Sequence, residues 1–343
     1  MYTIWFTLDC NLQCSYCYED EKTCNSSITY EKLDEVFNFI FQNQLAKNQN
    51  FIVQIHGGEP MMEFNKIQFF VDKLKNSFED KVCFRMTTNA TMLHSTQIDY
   101  ICSNINELLI SIDGTEEAHN LNRFYKLGKG SFKAVQKSTR EVLARKKDAI
   151  ARMTICKNTI HLFSENILFL ASLKFKRICY QLSMNDEWGE EDIELFYKQI
   201  EKVENMIKYN SLNDIKIQNF ENPLKKTKLN CDGGTNSYAI MPDGIIYPCS
   251  MVAGNQRYLI GSAPEGIDKK KLAELECKSN EVTTSCLDCT HTSICNGNRC
   301  KIINELYTGN AMLAWDYFCV TQNLNYKISK LFSSGNESIL GGT

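Results

Sequence analysis

The chain has 343 residues, 43% of them apolar and 11% aromatic, which is enough to bury one large core or two ordinary ones. Its 38 Lys and Arg residues nearly balance its 41 Asp and Glu residues, so the formal net charge is −3. This composition excludes disordered and fibrous proteins. Because the protein has no excess of positive charge to attract phosphates, we expect no nucleic-acid partner. The sequence shows no secretion signal and no apolar stretch near the ~20 residues of a membrane span. We therefore expect a cytoplasmic protein without a membrane partner.

Sixteen cysteines are an unusual number for such a chain. Because a reducing compartment keeps ordinary thiols free, the number indicates metal binding or redox chemistry. Cys10, Cys14 and Cys17 cluster near the N-terminus, and a second group extends from Cys231 to Cys319. Four others fall on predicted strands or helices and are interpreted as buried small apolar residues: Cys83, Cys102, Cys156 and Cys179.

Short β-branched segments alternate with amphipathic helical segments over residues 1–185, which predicts a parallel α/β sheet. Six such units are too few to close an eight-stranded barrel. We therefore expect a partial (β/α)6 TIM-like barrel with functional residues at the C-terminal ends of its strands. The predicted strands are Tyr2–Leu8, Phe51–His56, Val82–Thr88, Leu108–Ile112, Ala151–Cys156 and Arg177–Ser183.

The second half of the chain has a different sequence pattern, without the regular alternation of strands and helices. Residues 190–209 predict a long amphipathic helix, and residues 238–241 and 245–248 predict two strands joined by a Pro-Asp-Gly turn. Residues 283–300 contain too few apolar side chains to form a core, so another interaction must order them. A further helix is predicted over residues 311–332. The predicted units are a barrel at 1–185, a helical bridge at 186–230, a cysteine-rich domain at 231–323, and a helix end with a flexible tail at 324–343.

The N-terminal cysteines have the spacing Cys10-x3-Cys14-x2-Cys17 and follow the first predicted strand directly. Three thiolates in one loop can hold three irons of a 4Fe-4S cluster. The fourth iron then stays open, so it can chelate the amine and carboxylate of a small molecule and pass it an electron. A zinc site completed by Cys24 is the alternative, although zinc sites more often show paired C-x-x-C units.

At these residues the chain resembles the radical S-adenosylmethionine (radical SAM) enzymes, whose Cys-x3-Cys-x2-Cys motif follows the first strand of a partial barrel. The resemblance implies a 4Fe-4S cluster and S-adenosylmethionine (SAM) as cofactors. Taken singly, each further matching residue also has a plainer interpretation as a turn residue, an exposed ring or a surface ion pair. The implied SAM contacts are Tyr16 with adenine, Gly57 and Gly58 through close backbone approach, Glu59 with the methionine amino group, Asn89, Ser111 and Asp113 with ribose and methionine, and Arg123 and Arg152 with the methionine carboxylate.

The C-terminal cysteines resemble the seven-cysteine SPASM extension, which holds two auxiliary 4Fe-4S clusters. Metal–thiolate bonds would order a segment that lacks its own core. Four residues, rather than the family's three, separate Cys295 from Cys300, and a bulge at Gly297 can absorb the difference. Ser237 stands where a further cysteine ligand is expected, so the first auxiliary cluster has an open iron unless Cys277 completes it. The implied ligands are Cys231, Cys249 and Cys300 for the first cluster, and Cys286, Cys289, Cys295 and Cys319 for the second.

The resemblance implies an enzyme that generates a 5′-deoxyadenosyl radical to abstract hydrogen from a peptide or small protein. We favour peptide maturation by a thioether crosslink, because an open auxiliary iron can bind a substrate thiolate; a carbon–carbon crosslink is the alternative. Sulfatase maturation to formylglycine is less favoured, because its base is an Asp after the second SPASM cysteine, whereas Ser250 follows Cys249. A non-enzymatic electron carrier would not need SAM-binding turns. The expected partner is a reductant such as flavodoxin or ferredoxin. Because the first strand begins at Tyr2, we expect leader recognition to need a separate leader-binding protein or the bridge region around residues 186–230.

Overall fold

Within the described residues, one mixed sheet of eleven strands organises the chain in this computed structural model. The structure describes residues 1–19, 27–209, 231–279 and 281–337, together with 212, 214–218 and 220. Strands β1 to β6 are parallel and lie side by side in chain order. This arrangement confirms the predicted partial (β/α)6 barrel.

The strands and helices alternate regularly through the barrel and become shorter after it. The strands are β1 (Tyr2–Trp5), β2 (Phe51–His56), β3 (Val82–Thr88), β4 (Glu107–Ser111), β5 (Ile150–Ile155), β6 (Arg177–Leu182), β7 (Lys216–Ile217), β8 (Tyr238–Ile240), β9 (Ile245–Tyr247), β10 (Gly261–Ser262) and β11 (Gly266–Ile267). The helices are α1 (Tyr30–Lys47), α2 (Phe64–Phe78), α3 (Ser95–Asn104), α4 (Glu116–Asn122), α5 (Phe132–Arg145), α6 (Phe163–Ser172), α7 (Glu190–Lys208), α8 (Lys269–Ser279), α9 (Asn296–Arg299), α10 (Lys301–Thr308) and α11 (Asp316–Glu337).

Side chains alternate between the two faces of each barrel strand, as the pleat requires. In β2, Val53 and Ile55 are fully buried in the large core beneath the helices, whereas Gln54 and His56 on the other face are only partly buried. That second face is the concave face of the open barrel. Because six strands do not close, the concave face is lined by polar side chains instead of a filled interior.

The C-terminal region joins the barrel through the first strand. Strand β8 pairs in parallel with β1, with Tyr2 opposite Tyr238 and Ile4 opposite Ile240, and β9 pairs antiparallel with β8. A second, smaller core forms at this junction around Trp5 and Tyr247, and Cys249 packs against it. The sheet therefore continues directly from the barrel into the cysteine-rich region.

Two predicted elements differ from the structure by more than one residue at an end. The first strand ends at Trp5 rather than Leu8, because Thr7 already pairs with Ser27 outside the sheet. The last helix begins at Asp316 rather than residue 311, because Asn310 forms a turn in which its side-chain oxygen accepts from the backbone of Met312. This helix crosses residue 323, the predicted end of the cysteine-rich domain. The domain boundaries stay predictions. Residues 338–343, in the predicted tail, lie outside the described residues. No helix in the described ranges is long and apolar enough to cross a membrane.

Candidate active site

The three N-terminal cysteines lie in one loop that leaves β1 at the C-terminal edge of the barrel. The loop is held to the rest of the barrel by backbone hydrogen bonds from Gln13 to Phe124 and from Ser15 to Asn122, of 2.8 and 2.9 Å. The Cys10 sulfur accepts from the backbone of Leu12 at 3.4 Å and lies 3.7 Å from the Asn89 amide nitrogen. Burial raises the pKa of Cys10 to about 12, so this thiol needs a cation to ionise.

Gly58 is required by the packing of the triad loop on the end of β2. A Cβ at Gly58 would lie 2.3 Å from the carbonyl oxygen of Asp9. The approach also allows two backbone hydrogen bonds, from Gly58 to Thr7 at 3.0 Å and from Glu59 to Asp9 at 2.8 Å. The glycine therefore brings the backbone close to the triad loop; the motif indicated a close approach of the backbone but not that this loop is its neighbour.

Glu59 connects the ends of β2 and β3. Its carboxylate accepts from the backbone nitrogens of Met61 at 3.1 Å and Asn89 at 2.6 Å, and from the Thr88 hydroxyl at 2.7 Å. The residue is 1% exposed, and burial raises its pKa while the three donors oppose that shift. A carboxylate offers about four acceptor positions, so one remains for a ligand donor.

Tyr16, Asp113 and Arg123 form a buried cluster next to the triad. The Tyr16 hydroxyl donates to Asp113 at 2.6 Å and accepts from Arg123 Nη1 at 2.7 Å. The other Asp113 oxygen accepts from the backbone of Thr154 at 3.0 Å. Burial raises the pKa of Asp113, and the Arg123 guanidinium opposes the shift. Tyr16 is thus held by its hydroxyl, and three implied SAM contacts meet at one place.

Arg123 provides the clearest sign of a missing ligand. The side chain is buried, yet within the described residues its Nε has no hydrogen-bond partner. Buried polar atoms are nearly always satisfied, and a guanidinium binds carboxylates through paired N–H donors. The site therefore fits the methionine carboxylate of SAM.

The other implied SAM contacts are distributed along the same edge. Asn89 donates to Asn11 at 2.9 Å and reaches Cys10. Arg152 lies across the concave face and donates to Gln181 at 2.8 Å. It pairs in register with Ser111 on β4, and both are partly buried. Of the two arginines, Arg123 is the one that touches the Tyr16 cluster.

A histidine that sequence reasoning missed supports this cluster. Nδ1 of His119 accepts from the backbone of Asp113 at 3.3 Å, and Nε2 lies 2.9 Å from the Ser131 hydroxyl, which in turn donates to the Arg123 carbonyl. Burial holds the pKa of His119 well below its ordinary value, so the ring is neutral. Its only sequence signal was its place six residues after Asp113.

The C-terminal cysteines fall into the two implied sets. Burial raises the pKa of Cys300 to about 12, and the nearby Cys249 and Cys231 thiols contribute to this rise. An ion pair of 3.0 Å between Arg299 and Asp232 holds the segments of Cys300 and Cys231 together. The side chain of Cys277 lies outside the described residues.

The second set gathers around Cys319. Burial raises its pKa to about 11, and the thiols of Cys295, Cys286 and Cys289 add to the shift. The additional residue before Cys300 is accommodated by the short helix α9, in which Cys300 donates to the Asn296 carbonyl at 2.7 Å. This corrects the expected bulge at Gly297, because one helical turn accommodates the four intervening residues.

Thiols are the shared donor of all three sets, and every cysteine that the structure describes is free. Among those residues, no three His, Cys, Asp or Glu side chains are arranged to hold a single metal ion. Sets made only of cysteine thiols fit iron–sulfur clusters, whose irons are held by thiolates. Cys24, the proposed fourth ligand of the zinc alternative, lies outside the described residues.

Comparisons with known proteins show which proteins this chain is similar to. Residues 1–135 match the family model of a 4Fe-4S single cluster domain. The radical SAM cyclopropyl synthase TigE of Paramaledivibacter caminithermalis is 22% identical over 88% of this chain and 68% of its own length. A cysteine-type anaerobic sulfatase-maturating enzyme of Clostridium perfringens is 22% identical over 95% of each chain. Over most of its length the chain is therefore similar to radical SAM enzymes.

Solved radical SAM structures have the same fold as this chain. Native anSMEcpe with bound AdoMet superposes with a TM-score of 0.78 at 19% identity, covering 98% of this chain and 99% of its own. SuiB of Streptococcus suis bound to precursor peptide SuiA gives a TM-score of 0.68 at 15% identity, covering 92% of this chain and 75% of its own. The shared fold therefore extends through the C-terminal cysteine region.

Proposed function

We propose that this enzyme cleaves SAM to modify a cysteine-containing peptide by forming a thioether. One observation carries the proposal: the first auxiliary set gathers Cys231, Cys249 and Cys300 without a fourth cysteine among the described side chains. Ser237 lies in the turn after Cys231, where its backbone nitrogen donates to the Asp232 carbonyl at 2.9 Å. Three thiolates on a four-iron cluster leave one iron for a substrate thiolate.

The chain's own residues are suited to hold SAM beside the N-terminal cluster. The triad would bind the cluster, and bound SAM would then supply the radical that removes hydrogen from carbon. Arg123 would bind the methionine carboxylate through its unpartnered Nε, and Glu59 would use its remaining acceptor position for the amino group. Tyr16 and Asp113 hold Arg123 in place from the opposite side.

Peptide substrates are supported by the relatives that bind them. The anSMEcpe protein has been solved with AdoMet and the Cp18Cys peptide, and SuiB with its precursor peptide. A flavodoxin or ferredoxin would supply the electron that SAM cleavage consumes. A separate leader-binding protein completes the proposed set of partners.

Formylglycine formation is the second candidate, because the alignment with a sulfatase-maturating relative spans 95% of both chains. Against it, Ser250 follows Cys249 and begins a short 3-10 turn, so an acidic side chain is missing at that position. Both reactions begin with hydrogen abstraction from a peptide, and they differ in the product.

The test uses anaerobically reconstituted protein, a chemical reductant, SAM and synthetic cysteine peptides. The peptides come from short reading frames beside the gene, with one sulfatase-type peptide added. We expect about twelve irons, four per cubane, and a product that has lost two hydrogens and its free thiol. The triple variant Cys10→Ala, Cys14→Ala, Cys17→Ala should lose about four irons and all 5′-deoxyadenosine formation. An aldehyde product would favour the second candidate, and SAM cleavage by the triple variant would refute the triad assignment.

A further inference from the structure

A polar cluster that no assignment above uses lies beside the triad, at the C-terminal end of β2. His56 precedes Gly57, and its ring packs on Trp5 with a centroid distance of 4.6 Å. Nε2 of His56 lies 3.0 Å from the Tyr18 hydroxyl and 3.5 Å from a Glu19 carboxylate oxygen. The other Glu19 oxygen accepts from the indole nitrogen of Trp5 at 3.1 Å.

The strand register places this cluster on the concave face. Trp5 and His56 are directly opposite each other on β1 and β2, while their neighbours Ile4 and Ile55 point into the large core under the helices. Trp5 also belongs to the smaller core against which Cys249 packs. His56 therefore lies on the concave face, and its neighbour Trp5 reaches the core against which Cys249 packs.

The contacts of the His56 ring leave one of its two nitrogens open. Nε2 lies 3.0 Å from the Tyr18 hydroxyl and 3.5 Å from a Glu19 carboxylate oxygen. Nδ1 forms no hydrogen bond with the described part of the chain, and the side chain is 17% exposed. Nδ1 is therefore the ring nitrogen available to a ligand.

Other titratable groups near this edge are already engaged. Glu59 and Asp113 are buried and accept from two or more protein donors each. His119 is fully buried, and its Nδ1 accepts a backbone hydrogen. Arg152 carries only donors and donates to Gln181 at 2.8 Å. Among these groups, His56 is the one with an open ring nitrogen.

We propose that His56 is the base that removes the thiol proton of the substrate, oriented by Tyr18 and Glu19; this rests on the proposed function. Thioether formation breaks one C–H and one S–H bond and forms one C–S bond. The carbon-bound hydrogen atom goes to the adenosyl group derived from SAM. The thiol proton goes to Nδ1 of His56, and the remaining electron goes to an auxiliary cluster. The Glu19 carboxylate oxygen lies 3.5 Å from Nε2, the other ring nitrogen.

The first test separates proton removal from hydrogen abstraction. The same cysteine peptides, deuterated at carbon, are incubated with reconstituted wild type, His56→Gln and the exposed-site control His161→Gln. General-base catalysis contributes about 10²–10⁴-fold, so His56→Gln should form product at least about 100-fold more slowly. Deuterium transfer to 5′-deoxyadenosine should stay within about threefold of wild type, because that step precedes C–S bond formation and does not use the base. The deficit should shrink as pH rises and the thiol ionises by itself.

Unchanged product formation by His56→Gln, or a deficit that does not depend on pH, would overturn the proposal. If wild type transfers no deuterium from any peptide, the proposed function is wrong instead.

A second measurement needs no substrate: diethylpyrocarbonate acylates accessible unprotonated imidazoles, and peptide mass spectrometry locates the label on the holoenzyme. We expect His56 to react and buried His119 to stay unlabelled. An unreactive His56 would show that Nδ1 is closed to any substrate and would also overturn the proposal.

Discussion

Replacing Glu59 with Gln tests whether this carboxylate serves SAM or only the fold. The carboxylate accepts three hydrogen bonds, from Met61, Thr88 and Asn89. A glutamine has one acceptor oxygen, so in either amide orientation its NH2 group faces a backbone N–H. Leaving one buried donor unsatisfied costs about 1–3 kcal/mol. Relief of the buried charge offsets part of this, so we expect the variant to fold with a net loss of about 2 kcal/mol.

The effect on SAM is separate from that loss of stability. A charge-assisted hydrogen bond to the methionine ammonium contributes about 1.5–3 kcal/mol, which corresponds to roughly tenfold to a hundredfold in affinity. Burial raises the pKa of Glu59, and a bound ammonium favours the ionised form. Wild-type affinity should therefore fall as pH falls through that raised value, and Glu59→Gln should lack this dependence.

Calorimetry of SAM binding to protein with intact clusters measures both effects. Glu63→Gln is the matched control, because Glu63 pairs with Lys66 at 2.7 Å near the surface and such pairs contribute about 0–1 kcal/mol. Unchanged SAM affinity in Glu59→Gln, with iron content preserved, would refute the contact. Glu59 would then act solely by joining β2 to β3.

Two further substitutions test the surroundings of the site. Gly58→Ala should displace the triad loop, because its Cβ would meet the Asp9 carbonyl at 2.3 Å. Iron analysis should show loss of iron from the N-terminal cluster. The control Gly189→Ala should retain that iron, because its Cβ has only an ordinary contact at 3.5 Å. The pKa of His119 is lowered by burial, so the stability from its neutral ring is fully present above pH ~6.5 and is lost as pH falls toward the lowered value. Circular dichroism melts should show that His119→Gln loses this pH dependence, whereas exposed His161→Gln should retain it.

Short-range patterns in the sequence predicted much of this structure. The period of apolar residues located β2 and β3 at their observed bounds, since the alternation of faces is a local property. The grouping of Cys286, Cys289, Cys295 and Cys319 came from the resemblance; the structure places the first three thiols near Cys319, and their role as cluster ligands stays a prediction.

Contacts between distant segments could not be predicted in this way. Nothing near Tyr238 indicates that β8 will pair with β1, because strand partners depend on the whole chain. The partnership of His56 with Glu19 and Trp5 has the same origin. Gly58 shows a third kind of limit: its motif indicated a close approach of the backbone but not that the neighbour is Asp9.

The pairing of β8 with β1 also connects the two cysteine regions. Strand β1 leads into Cys10 within five residues, and β9, next to β8, leads into Cys249 within two. Because β8 is parallel to β1 and β9 is antiparallel to β8, Cys10 follows the C-terminal end of β1, whereas Cys249 leaves the sheet at the other end, level with the start of β1. Trp5 belongs to the core against which Cys249 packs and also contacts His56. The first strand therefore links the two cysteine regions, and an insertion in β1 should displace one region relative to the other more than insertions elsewhere in the barrel.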